Sequence, residues 1–187
     1  MPIYLCRHGQ TRWNQLGILQ GHLDSELTEL GQQQARILGQ QAQALSLDFI
    51  LCSDLDRAQQ TAIIANQTLK LPIQISSQLR ERDFGSLQGL ERGQSPQWWQ
   101  HYDSRHQQDE LAIPGAESAS SVWQRAHGAL CQLLNQHADR NVLLIGHGEW
   151  QRIVQNGLLS YPLHSAYHPI PDNGDIWCLD DLLVEPA

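Results

Sequence analysis

The chain has 187 residues and a mass of 21.2 kDa, a length that suggests one domain of about 150 residues with an excursion, able to bury a core without disulfide or metal. Twelve basic against twenty acidic side chains give a net charge of −8, and the cations are eleven arginines and one lysine, Lys70, beside 25 glutamines. That balance argues against a general nucleic-acid binder and an anionic membrane surface, and because Lys70 follows Leu69 rather than glycine it excludes a Walker-type phosphate loop.

In chain order, residues 3–6 form an apolar run that stops at Arg7-His8-Gly9, as a strand delivering its C-terminal end to a loop does. Residues 11–27 are polar and show no clear period. Over 27–45 the spacing of Leu30, Ile37, Leu38, Ala42 and Leu45 predicts a helix capped by Thr28. A second strand over 48–53 leads into a helix over 54–69 through Ala58, Ala62, Ala65 and Leu69, and a short strand is predicted over 72–77. Residues 79–115 are irregular. A third helix over 116–137 presents Val122, Ala126, Ala129, Leu130, Leu133 and Leu134, and the strand over 141–145 ends in Gly146-His147-Gly148. A helix over 149–159 and a strand over 175–179 complete the order. Strands alternating with helices predict an α/β fold around a largely parallel sheet, in which ligands bind beyond the carboxyl ends of the strands.

Cys6, Cys52, Cys131 and Cys178 form no C-x-x-C pair, and Cys6 and Cys52 read as buried thiols in apolar runs. The N-terminal residues lack the charged and apolar regions of a signal peptide, and no apolar stretch approaches the ~18 residues of a membrane span, so the sequence reads as cytoplasmic.

Two strands ending in the same chemistry, Arg7-His8-Gly9 and Gly146-His147-Gly148, are the most informative feature of the chain. A strand-end histidine can face a pocket with one ring nitrogen, an adjacent arginine offers a forked donor to phosphate oxygens, and a glycine lets backbone approach an anion. Arg57 in Ser53-Asp54-Leu55-Asp56-Arg57 stands near the same sheet edge. Glu81 lies between two arginines in Leu79-Arg80-Glu81-Arg82-Asp83-Phe84-Gly85. Singly, each motif reads equally well as a structural histidine, a first-turn arginine paired with Asp54 or Asp56, or a surface ion-pair cluster.

Together they resemble the histidine phosphatase superfamily, the clan of phosphoglycerate mutases and acid phosphatases. The residues that carry the resemblance are RHGQT (7–11) with Asn14, the stretch from Gln20-Gly21 through LTELG-QQQA to residue 35, SDLDRAQQTA (53–62), LRERDFGSLQG (79–89), PGAES (114–118) and GHG (146–148). It covers nearly the whole chain and implies a three-layer α/β/α sandwich, one domain over 1–187 with a lid-like excursion at about 86–115. It implies that His8 is a nucleophile forming a phosphohistidine that water then hydrolyses, with Arg7, Arg57 and His147 cradling the phosphoryl oxygens. Glu81 matches the position of the general acid, with Asp83, Glu110 and Glu149 as competitors. Thr11, Asn14, Gln20, Gly21 and Gly148 match positions that contact phosphate or hold the nucleophile. No cofactor and no metal site is expected: His164 and His168 have i,i+4 spacing, but Pro162 and Pro169 oppose a helix there.

The branch within the family is a separate expectation. The family's cofactor-dependent mutases resemble longer chains with a cationic insertion after the acid, whereas residues 90–113 here hold only Arg92 and Arg105, beside Trp98, Trp99, His101, Tyr102 and His106. Gln20-Gly21 also looks like the phosphatase branch. The expected activity is therefore a phosphomonoesterase acting on a small phosphorylated metabolite, in a monomer or homodimer. The alternatives are a mutase of the same family, or a protein phosphohistidine phosphatase or regulatory binding module. One departure from the family pattern is Glu149-Trp150 after the second histidine, a carboxylate beside a phosphate pocket, which also fits a first-turn acid on a helix dipole.

Overall fold

The structure, a computed structural model, describes residues 2–179. Strands β1 (Ile3–Arg7), β2 (Phe49–Ser53), β3 (Ile73–Ser76), β4 (Val142–Gly146) and β5 (Ile176–Cys178) form one sheet in the order β3-β2-β4-β1-β5. The first four run parallel, and β5 joins the edge antiparallel to β1. Helices α1 (Arg12–Leu16), α2 (Glu29–Ala42), α3 (Asp56–Leu69), α4 (Pro96–Asp103), α5 (Ala119–Gln136) and α6 (Gly148–Leu158) are interleaved with them.

Alternation along the strands fixes which helix covers which face. Ile3, Leu5, Phe49, Leu51, Val142 and Leu144 point to α5 and α6, where Val122, Ala126, Leu130, Trp150 and Ile153 meet them. Cys6, Ile50, Cys52, Leu143 and Ile145 point to α2 and α3, against Leu38, Ala42, Ala58, Ala62 and Ala65. The two cores on opposite faces make the expected three-layer α/β/α arrangement. The central strands β2 and β4 are buried at every residue, which is why they read as unbroken apolar runs.

Three helical expectations change. Leu30 and Ile37, predicted on the inner face of α2, are 50% and 41% exposed, and the buried face is Gly31, Ala35, Leu38, Gly39 and Ala42. The reason is the approach of α3: a Cβ on Gly39 would stand 2.5 Å from the Ala65 carbonyl oxygen, so the contact selects small residues over large ones. Leu134 of α5 is likewise 45% exposed. Helices α1 and α4 were not predicted. α1 is a single capped turn, in which Thr11 and Asn14 form a reciprocal capping box.

The segment over 86–115 carries α4 and its own small core of Phe84, Leu87, Trp99, Leu111 and Ile113, with Trp98 and Tyr102 packed on it. Arg82, fully buried, ties this segment down by donating to the carbonyls of Glu117 at 2.8 Å and Asp109 at 2.7 Å.

Two glycines test this packing in opposite directions. Gly39→Ala should lower thermal stability by about 1–3 kcal/mol through overpacking. Gly128→Ala, where an added Cβ meets nothing within 4 Å on the exposed side of α5, should raise it by about 0.5–1 kcal/mol. Thermal unfolding of both variants checks this, and equal shifts would contradict the close α2–α3 approach.

Candidate active site

Register brings the two histidines together. Arg7 pairs with Gly146 across β1 and β4, so His8 and His147 leave the sheet side by side with ring centroids 5.2 Å apart. His147 is the N-cap of α6, and its ring is fully buried with neither nitrogen bonded.

Two contacts define the state of His8. Nδ1–H donates to the Gly9 carbonyl at 2.8 Å, since a carbonyl can only accept. Nε2 accepts from Arg57 Nε–H at 3.3 Å, so its lone pair is unprotonated. Burial, then the charges of Arg57 and Arg7, hold the His8 pKa well below the ordinary 6.5, and burial with Arg57 does the same for His147. Behind the motif, the Gly9 N–H donates to Thr61 Oγ1 at 3.0 Å, and Thr61 donates to the Arg57 carbonyl at 2.7 Å.

Arg57, 1% exposed, is held on every side. It donates to the carbonyls of Leu23 and Gly21 at 2.8 and 2.7 Å, and to Asp24 Oδ1 at 2.8 Å. Asp24 also receives the backbone N–H groups of Asp56 and Arg57, at 3.0 and 3.3 Å, at the start of α3. One carboxylate therefore caps a helix and orients a guanidinium. Arg7 reaches the Pro171 carbonyl with Nη1 at 3.0 Å, while its buried Nε has no partner.

Glu81 lies at the N-terminus of α6. Its Oε1 accepts from the N–H groups of Trp150 and Arg82, both at 2.9 Å, and Oε2 accepts from the Glu149 N–H at 3.2 Å. Its carbonyl is held in turn by His22 Nε2 and Arg125 Nη2, each at 2.9 Å.

These groups converge on a cavity of about 280 Å³. Of the residues singled out in the sequence, Arg7, His8, Asn14, Gln20, Gly21, Arg57, Glu81, Gly148 and Glu149 line it. Thr11 does not: its hydroxyl caps α1. His147 stands behind His8 rather than on the wall. Asp83 turns to His22 and the Gly85 N–H, and Glu110 faces solvent, which leaves Glu81 and Glu149 as the acids on the cavity. Trp99 and Tyr102 line it, whereas Trp98 packs on the small core. Gly148 is where a side chain would strike Ile170, 2.5 Å from an added Cβ.

The unusual Glu149 neither faces solvent nor stands unopposed. It is 3% exposed, with Arg105 Nε at 2.7 Å and Arg152 Nη2 at 2.5 Å. Burial alone would raise its pKa, but the two guanidiniums outweigh burial and hold it below the ordinary carboxylate value. Arg105 belongs to the 86–115 segment, so this pair joins that segment to α6. Asp24, Thr61, Trp13, Ile170 and Arg92 also belong to the site or its support: Asp24 and Thr61 fall within stretches that carry the family resemblance without a role read for them, and Trp13, Ile170 and Arg92 carry no motif. Asp24 finds its partner 33 residues away, and no local pattern announces that.

The sequence profile of the histidine phosphatase superfamily (branch 1) matches residues 3–180. The chain belongs to that superfamily. A protein named probable phosphoglycerate mutase GpmB, from Salmonella choleraesuis (strain SC-B67), is 37% identical over 151 residues, 79% of this chain and 70% of its own. A mycobacterial glucosyl-3-phosphoglycerate phosphatase superposes with a TM-score of 0.85 at 28% identity, covering 94% of this chain and 90% of that one. The alpha-ribazole phosphatase from Shigella flexneri superposes with a TM-score of 0.83 at 29% identity, covering 95% and 89%. This member of the superfamily thus has both phosphatases and a mutase-named protein among its relatives.

The buried histidines make stability depend on pH. Their folded pKa values lie below 6.5, so the unfolded chain takes up protons that the folded one does not as pH falls through that value. The stabilisation is complete above pH 6.5 and is lost below it, by up to about 1.4 kcal/mol per pH unit for each ring. Urea unfolding between roughly pH 7.5 and 5.5 should show this slope, and His147→Gln should flatten it. A slope unchanged in that variant would contradict the neutral, buried ring.

Proposed function

We propose that the protein is a phosphomonoesterase that hydrolyses a small phosphorylated metabolite through a phosphohistidine on His8. The observation that carries this reading is the tautomer of His8, with Nδ1–H spent on the Gly9 carbonyl and Nε2 left unprotonated, accepting from Arg57 Nε–H on the wall of a cavity that Arg7 also lines. A neutral imidazole is the nucleophilic form, and its depressed pKa keeps it so at neutral pH.

In the first step Nε2 bonds to phosphorus as the phosphorus–oxygen ester bond breaks. Arg57 Nε–H, released from Nε2, and the unpartnered Arg7 Nε meet the non-bridging oxygens, and His147, whose ring lies beside His8 with both nitrogens unbonded, completes the cradle as the phosphoryl group seats on His8. Glu81 in its acid form gives the leaving alkoxide its proton. In the second step Glu81 takes a proton from water, the water oxygen bonds to phosphorus, and the phosphorus–nitrogen bond breaks to restore neutral His8. Positioning and fixed charge supply most of the stabilisation in such transfers, and here two arginines provide the charge without a metal. The 86–115 segment acts as a lid, with Trp99 and Tyr102 facing the organic part of the substrate. Resemblance to the mutase-named relative supports a second reading, phosphoryl return to a bound glycerate, and conversion of 3- to 2-phosphoglycerate with a bisphosphoglycerate primer distinguishes it.

Steady-state assays test the assignments. His8→Ala should lose about 10³-fold or more of the activity on para-nitrophenyl phosphate. Glu81→Gln should lose about 10²–10⁴-fold on glycerol 2-phosphate, whose alkoxide needs a proton, and much less on para-nitrophenyl phosphate, whose phenolate does not. Equal losses on both esters would remove Glu81 from the proton-donor role.

A further inference from the structure

Beyond the phosphate cradle, the cations around the cavity are already committed. Arg92, on the cavity wall, places both terminal nitrogens on Asp103, at 2.8 and 2.7 Å, with its guanidinium 4.4 Å above the Trp99 ring. Arg105 and Arg152 share Glu149, and Arg105 lies 4.0 Å from the Tyr102 ring centre. Each guanidinium meets a carboxylate of the chain, and Glu149 itself lies on the wall. The wall also carries apolar and aromatic groups, Trp13, Phe84, Trp99, Tyr102 and Ile170, beside the neutral amide of Asn14. Gln20, 6% exposed, adds an amide whose Oε1 has no partner, suited to a hydroxyl rather than an oxyanion.

From this arrangement we infer that the substrate is a phosphomonoester whose organic part is an uncharged, ring-bearing group, hydroxylated or not, with no second anion. The inference rests on the phosphatase reading. Trp99 and Tyr102 already carry Arg92 and Arg105 over a ring face, so a flat ring packs against Trp13, which also lines the cavity. A carboxylate or second phosphoryl group would lose its hydration, meet outside the phosphate cradle no arginine among the described wall residues that does not already hold a carboxylate, and face Glu149. Asp103 and Glu149 thereby act as specificity-determining residues through the arginines they hold.

The test compares kcat/KM for 1-naphthyl phosphate and 5-carboxy-1-naphthyl phosphate, whose leaving groups are alike and which differ by one anion, in the wild type and in Asp103→Ala. Glu149→Gln would leave two largely buried guanidiniums unopposed and endanger folding, whereas Arg92 and Asp103 have side chains 57% and 52% exposed. Wild type should prefer 1-naphthyl phosphate by at least about tenfold. Asp103→Ala, which frees Arg92, should raise kcat/KM for the carboxylated ester about threefold or more relative to the uncarboxylated one. Equal wild-type efficiency on both esters, or no change in the variant, overturns the inference while the phosphatase reading stands. Hydrolysis of neither ester overturns both.

Discussion

The pairing of β1 with β4 sets everything else in place. With Arg7 opposite Gly146, each strand ends one residue before a histidine, and both rings emerge at the same edge of the sheet. A slip of one residue would turn Leu5, Val142 and Leu144 away from the α5–α6 core and separate the rings, so the burial pattern that specifies the fold also specifies the site. The flanking glycines have the same logic: Gly9 and Gly31 lie so close that a Cβ on Gly9 would clash with the Gly31 carbonyl, which draws α2 against the histidine loop.

Burial of charge is the second constraint. Arg57, Arg82 and Arg152 are each at most 1% exposed, a costly state that hydrogen bonds from most of their donors offset, with Arg82 Nη1 and Arg152 Nε left without a partner. Most of their bonds go to backbone carbonyls: Gly21 and Leu23 for Arg57, Asp109 and Glu117 for Arg82, His164 and Ser165 for Arg152. Carbonyls fix a guanidinium without neutralising it. Although Asp24 also holds Arg57, the positive charge of that guanidinium still acts on His8, and all three arginines fasten loops distant in sequence. A chain of net charge −8 can in this way hold an anion site, because Arg7 and Arg57 act at short range within one cavity.

Much of this was legible in the sequence. The strand ends, the α3 and α5 faces and the Thr28 cap follow from local periodicity and capping chemistry, and the histidine motifs stand out by repetition. What escaped is non-local. The face of α2 is decided by how near α3 comes, so small residues win over Leu30 and Ile37. α4 owes its place to a small core assembled from Leu87, Leu111 and Ile113 around Trp99. Glu149 reads as a helix-dipole acid until Arg105 and Arg152 are placed on it, and Asp24 looks like an ordinary loop acid until Arg57 arrives.

The central claim is that Nε2 of His8 is the atom that bonds to phosphorus. Rapid alkaline quenching of the enzyme during turnover of a phosphomonoester, followed by peptide mapping and phosphorus NMR of the labelled peptide, tests it most directly. The account predicts an acid-labile phosphoryl group on His8, attached at Nε2. Turnover with no covalent label, or a label on Nδ1 or on another residue, would contradict it.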